Sequence, residues 1–169
     1  ILVAALGGEG GGVLADWLVQ CALESGLSVQ ATSVPGVAQR TGATSYYVEM
    51  LRAAVPAGAA QPVFALTPLP GCVDVVVASE LLEAARMVER GFVTGRTTLI
   101  ASIHRVYTTI EKMHMADGRQ DPQRLQSAAH ALAARAVLFD MEAVTVQSGT
   151  VVSAVMFGAL AGAGVLPWP

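Results

Sequence analysis

Residues 6–12 read LGGEGGG and join an apolar run to a helical pattern. A glycine loop in that position lets a ligand or another chain approach the backbone, and the free amides and dipole of the following helix favour an anion. Gly7, Gly8, Glu9 and Gly10 are its candidate contacts. Arg40 lies in the turn-rich stretch PGVAQRTGAT; its guanidinium can clamp a phosphate or carboxylate bidentately, pair with an acid across an interface between chains, or stand as a plain surface arginine. Glu80 ends the run CVDVVVASE, just past the carboxyl end of a strand, where open α/β sheets place ligands. The same position suits a carboxylate N-cap for the helix that follows. His104 and Arg105 also follow a strand. With Tyr107, Thr108, Lys112 and His114 they make residues 104–123 rich in hydrogen-bonding side chains, suited to gating a site, gripping a partner or serving as a solvated connection.

The glycine loop matches the dinucleotide fingerprint G-x-G-x-x-G in no register. Starting at Gly8 puts Val13 at the last glycine position, and starting at Gly7 puts Glu9 at the second. Glu9 would repel a pyrophosphate, and Thr32 and Ser33 stand where an acidic residue would hold a ribose. Three readings of the loop remain: a nucleotide site, a tight turn that lets helix pack on strand, and a contact with a partner subunit. No Ser/His/Asp, Cys/His or paired-carboxylate spacing emerges, so no catalytic residue is assigned. Cys21 and Cys72 share no C-x-x-C spacing, giving neither a disulfide framework nor a metal site and fitting a reducing cytoplasm.

These residues need a scaffold, and the patterning supplies one. Residues 1–8, 27–34, 45–52, 72–80, 97–103 and 136–141 read as strands. Helical patterns fill 11–26, 81–91 and 122–135, and a last one begins near residue 150. Gly26 and Gly91 stand at helix ends, and Asp121 with Pro122 forms a cap and first-turn pair. The first two strands and their helix read as one βαβ unit with parallel strands. Runs such as VVVA and TLIAS are apolar on both faces, as expected of a sheet covered on each side. The pattern predicts a single α/β domain with three α/β/α layers and a mostly parallel, Rossmann-like sheet over residues 1–169, with 53–62 a surface loop or disordered tether.

The chain has 169 residues, 10 Lys+Arg against 13 Asp+Glu, a net charge of −3, 53% hydrophobic and 14% charged residues. That composition excludes intrinsic disorder and calls for extensive burial, some of it against a partner. With no basic cluster, neither nucleic acid nor an anionic membrane surface is expected as a partner. Residues 151–166 carry no charge but fall short of the roughly 20 that a bilayer span needs. A helix there has no polar face, so its own sheet or a neighbouring subunit must enclose it, and Gly158→Leu should clash. The chain opens on Ile1, already inside a strand pattern, which reads as a piece of something longer.

In chain order the motifs are Gly7-Gly8-Glu9-Gly10, Gln39-Arg40-Thr41-Gly42, and Asp74-Val75-Val76-Val77 leading to Glu80-x-x-Glu83-Ala84-x-Arg86. This series resembles the gamma subunit or domain of the 2-oxoacid:ferredoxin oxidoreductases, which show G-G-Q-G, Q-R-G-G and E-x-x-E-A-x-R; indolepyruvate oxidoreductase is the nearest pattern. The resemblance spans residues 1–105, with weaker support from Phe139-Asp140-Met141 and the ending ALAGAGVLP. Glu9 and Thr41 depart from the usual Gln and Gly.

The resemblance implies an accessory piece of an oligomeric cytoplasmic enzyme that oxidatively decarboxylates a 2-oxoacid to an acyl-coenzyme A and passes electrons to ferredoxin. Thiamine diphosphate and iron–sulfur clusters would sit on a catalytic partner subunit, since this chain has no cysteine quartet and its Asp117-Gly118 pair lacks the downstream Asn of a thiamine site. Neither these cofactors nor coenzyme A is expected on this chain itself. Gly7, Gly8, Glu9, Gly10, Arg40 and Glu80 would be its ligand or subunit contacts.

Overall fold

The computed structural model describes residues 1–34, 43–106 and 121–168. Six strands, β1 (Leu2–Leu6), β2 (Val29–Val34), β3 (Ala43–Met50), β4 (Val75–Ala78), β5 (Thr98–Ser102) and β6 (Arg135–Phe139), form one sheet in the order β2-β3-β1-β4-β5-β6. The helices among these residues are α1 (Gly11–Glu24), α2 (Leu81–Glu89), α3 (Pro122–Leu132), α4 (Met141–Ser148) and α5 (Val152–Gly162).

β1, β4, β5 and β6 pair in parallel, and β3 runs antiparallel to both of its neighbours, β1 and β2. β2 therefore points the same way as β1 but does not touch it. The first two strands are parallel and joined by α1, as expected, with β3 inserted between them because residues 43–50 turn back from β2 and pair on both sides.

Alternate residues of the central strands feed two cores. Val3, Val77 and Ile100 pack with Leu14 and Leu18 of α1 and with Met156 and Leu160 of α5. Leu2, Val76 and Leu99 pack with Ala84 and Met87 of α2 and Ala129 of α3. The domain thus has three layers, and strands buried on both faces read as unbroken apolar runs. Glycines stop two helices as expected: Gly26 and Gly91 take φ of +72° and +75°, a conformation that favours residues lacking Cβ. Asp121 caps α3 through Gln123 N at 2.9 Å.

The last helix begins near residue 150 as expected, and a further helix precedes it. That helix, α4, is capped by the Asp140 carboxylate accepting from Ala143 N at 2.9 Å and closed by Gly149 at φ +61°. α5 buries Ser153, Met156 and Leu160, but its other side is open. A Cβ at Gly158 or Gly162 meets no described atom within 4 Å, so at the Cβ level the overlap expected of Gly158→Leu is absent among the described residues. That side lines a groove of about 510 Å³ with Val137 and Phe139 of the edge strand β6 and Val144 of α4. No single helix among the described residues is long and apolar enough to cross a membrane.

Candidate functional site

The chain leaves β1 toward β2 on one side of the sheet, while β4 and β5 extend the other side. The gap between β1 and β4 is therefore the switch point of the sheet, where a crevice opens beyond the strand ends. The loop after β1 carries Gly7, Gly8, Glu9 and Gly10, and the turn after β4 carries Ser79 and Glu80. The fold brings five of the six sequence-predicted site residues to these two strand ends. Arg40 lies outside the described residues, as do Tyr107, Thr108, Lys112 and His114.

The glycine loop is a tight turn. Glu9 N donates to Leu6 O at 3.0 Å, and Gly8 and Gly10 take φ of +91° and +71°, which a side chain at either position would strain. The Glu9 carboxylate folds back over the strand end, where its Oε2 accepts from Leu6 N at 3.2 Å and from the Ser79 hydroxyl. The glycines at the start of α1 face protein. A Cβ at Gly10 would lie 3.0 Å from Ser153 Cβ, and one at Gly11 would lie 2.8 Å from Ala5 Cβ and 3.0 Å from Tyr46 Cε2. Close packing of α1 on β1 and β3 therefore requires glycine at 11. At Gly8 a Cβ would meet no described atom within 4 Å.

Glu80 is 1% exposed and is the N-cap of α2. Its Oε2 accepts from Leu82 N at 2.6 Å and Glu83 N at 3.1 Å. Its Oε1 accepts from Val106 N at 3.0 Å and lies 3.8 Å from Arg105 Nε. One carboxylate thus ties the start of α2 to the chain leaving β5. Burial pushes its pKa above the ordinary carboxylate value, against the three backbone donors and Arg105, which pull it down.

Glu83 pairs with Arg86 one turn on. Sequence spacing suggests an exposed pair, but Glu83 is 2% exposed because α2 turns that face inward against the sheet. Burial raises its pKa, Arg86 opposes the shift, and the charges of Glu80 and Glu9 reinforce it.

Two serines were missing from the sequence-based candidates. Ser79 bonds Glu9, and Ser102 Oγ accepts from both His104 N and Met141 N at 3.1 Å, fastening the end of β5 to α4. Each occupies the end of a parallel strand, a positional signal that the sequence does carry. Among the described residues, no group of three or more His, Cys, Asp or Glu side chains is placed to hold a metal ion.

A family model described as pyruvate ferredoxin/flavodoxin oxidoreductase matches residues 1–167. The chain belongs to that family. No curated protein matches it. In this oxidoreductase-family chain the E-x-x-E-A-x-R segment is the capped first part of α2, with Glu80 as cap and Glu83–Arg86 as the inward pair. Glu9 is the residue that closes the loop onto Ser79.

Proposed function

We infer that this chain is the accessory, gamma-type subunit or domain of a cytoplasmic 2-oxoacid:ferredoxin oxidoreductase acting on an aryl 2-oxoacid, with indolepyruvate as the substrate to test first. One observation carries the reading. Each carboxylate at the switch point is committed to the chain's own structure: Glu9 to Leu6 and Ser79, Glu80 to three backbone amides, and Glu83 to Arg86. Groups so engaged position loops and are poorly placed to act as acid, base or nucleophile on a substrate. The two cysteines fall short of the four that an iron–sulfur cluster needs.

On this reading thiamine diphosphate and the clusters belong to a catalytic partner chain, where the 2-oxoacid loses carbon dioxide, coenzyme A takes the acyl group and ferredoxin takes the electrons. This chain contributes shape and contacts to that partner, the glycine loop among them.

The test is reconstitution. The chain alone should oxidise no 2-oxoacid. Co-expressed with the thiamine-bearing chain, it should give coenzyme A-dependent reduction of ferredoxin by indolepyruvate. A partner fully active without it would overturn the assignment.

A second reading, a nucleotide-binding module, draws on the start of α1, which has no side-chain cap and so leaves amides free for an anion. Calorimetric titration with NAD, FAD, ATP and coenzyme A separates the two, because saturable micromolar binding of a dinucleotide to the isolated chain favours the module.

A further inference from the structure

The sheet is covered unevenly. α1 packs on one face of β2 and β3, but on the opposite face α2 and α3 lie against β1, β4, β5 and β6. Over that face of β2 and β3 runs an irregular strap, residues 61–69, held by side chains of the two strands. Gln30 Nε2 donates to Ala65 O at 3.0 Å, Thr32 Oγ1 donates to Leu66 O at 2.8 Å, and Glu49 Oε2 accepts from Ala65 N at 2.6 Å. Beyond the strap, Gly71 N donates to Gly91 O at 2.9 Å, pinning its end beside α2.

With these strap groups bonded to the sheet, the strap turns apolar side chains outward. Val63 is 98% exposed, Leu66 72% and Leu69 66%. They stand at every third position, and residues 53–73 contain no charged side chain at all. A solvated loop has no reason to be neutral throughout and to hold three large aliphatic groups in water. Depletion of charge around apolar anchors is instead the compositional mark of the centre of a protein–protein interface.

We propose that residues 63–69 are the docking strap by which this chain seats on the catalytic chain of its oxidoreductase, Val63, Leu66 and Leu69 entering an uncharged apolar groove on that partner. The inference rests on the assignment as an accessory subunit. Area argues for a groove and against two copies of this chain meeting strap to strap, and a strap seated in the β6 groove of a second copy would be a head-to-tail contact that builds rings or open chains rather than a closed pair. Three aliphatic side chains supply on the order of 300 Å² of apolar surface, well below the roughly 800 Å² per partner of a stable interface. Two protruding strips laid together therefore do not suffice. A groove that wraps the strap and the neutral loop at 53–61 gathers the rest, and a strap already fixed by the sheet loses little entropy on entering it.

The test uses the full chain co-expressed with the thiamine-bearing chain. In the triple variant Val63→Asp, Leu66→Asp, Leu69→Asp, the isolated chain should keep its melting temperature, because all three side chains are exposed. Its association with the catalytic chain, read by sedimentation, should weaken at least 50-fold, and activity lost at low protein concentration should return at high concentration. Val146→Asp, an exposed apolar site on α4 at the other edge of the sheet, should leave association unchanged. Triple-variant association within twofold of wild type overturns the strap, as does equal weakening by Val146→Asp. A concentration-dependent homodimer of the isolated chain, abolished by the triple variant, overturns the choice of occupant. Failure of the wild-type chain to join the catalytic chain overturns the accessory assignment, and the strap with it.

Discussion

The ends of β1, β4 and β5 and the outer margins of the sheet are built on opposite terms. At the strand ends, polar side chains are drawn inward: Glu80 and Glu83 are buried, and Glu9, Ser79 and Ser102 bond backbone or one another. At the margins, apolar groups are turned outward. Val63, Leu66 and Leu69 protrude beside β2, and a groove lined mainly by small and apolar residues, with Arg135 at its margin, lies open beside β6. Buried polar groups cost a great deal unless satisfied, so the strand ends are rigid. The margins are the surface with free energy still to gain from burial.

The largest effect expected from breaking this division is at Glu80. Glu80→Ala removes the cap of α2, deprives the Leu82, Glu83 and Val106 amides of their acceptor and takes the carboxylate from beside buried Arg105. It should lower stability by roughly 3 kcal/mol in urea unfolding. A loss below about 1 kcal/mol would mean that the strand ends are less rigid than their bonding suggests.

Gly11→Ala comes next. Its Cβ would sit 2.8 Å from Ala5 Cβ and 3.0 Å from the Tyr46 ring, so α1 must shift, at a cost of about 2 kcal/mol. A neutral outcome in thermal unfolding would show that helix and sheet can separate freely.

A smaller effect concerns pH. Glu80 and Glu83 titrate above the ordinary glutamate value of 4.5 in the folded chain, so between that value and their folded pKa the folded chain holds protons that the unfolded chain has released. Their contribution to stability is complete below pH 4.5 and declines as pH rises through the folded values. Glu83→Gln should make the fall in melting temperature from pH 4.5 toward 7 shallower than in wild type. An unchanged slope would remove Glu83 from the buried cluster.

At the margins the smallest effect has the opposite sign. Gly158→Ala meets no described atom within 4 Å and replaces a helix-interior glycine, so the isolated chain should gain about 0.5–1 kcal/mol. A loss would mean that the groove is filled in the chain by itself.

Much of this division was legible in the residues, though unevenly. The central strands announce themselves because burial on two faces demands unbroken apolar runs. Glycines and Asp121 mark helix ends because the backbone geometry there admits few residue types. The insertion of β3 was not legible, since strand direction depends on which edge the returning chain reaches first, and residues 43–50 alternate in the same way for either choice. α4 was missed because Val144, Thr145 and Val146 favour strands locally. Its helix follows from the caps at Asp140 and Gly149 and from packing against α5. The meeting of Glu9 with Ser79, 70 positions apart, is set by the pairing of β1 with β4, which no local pattern encodes.

The inward fold of the Glu9 carboxylate bears on any anion that visits the crevice. Leu6 N and the Ser79 hydroxyl already have an acceptor tethered three residues from one of them. A visiting phosphate or carboxylate must displace a resident whose effective concentration is on the order of millimolar or higher. This chain therefore carries its own competitor, and exchanging that one acid for its amide would reset the threshold at which the crevice admits a guest.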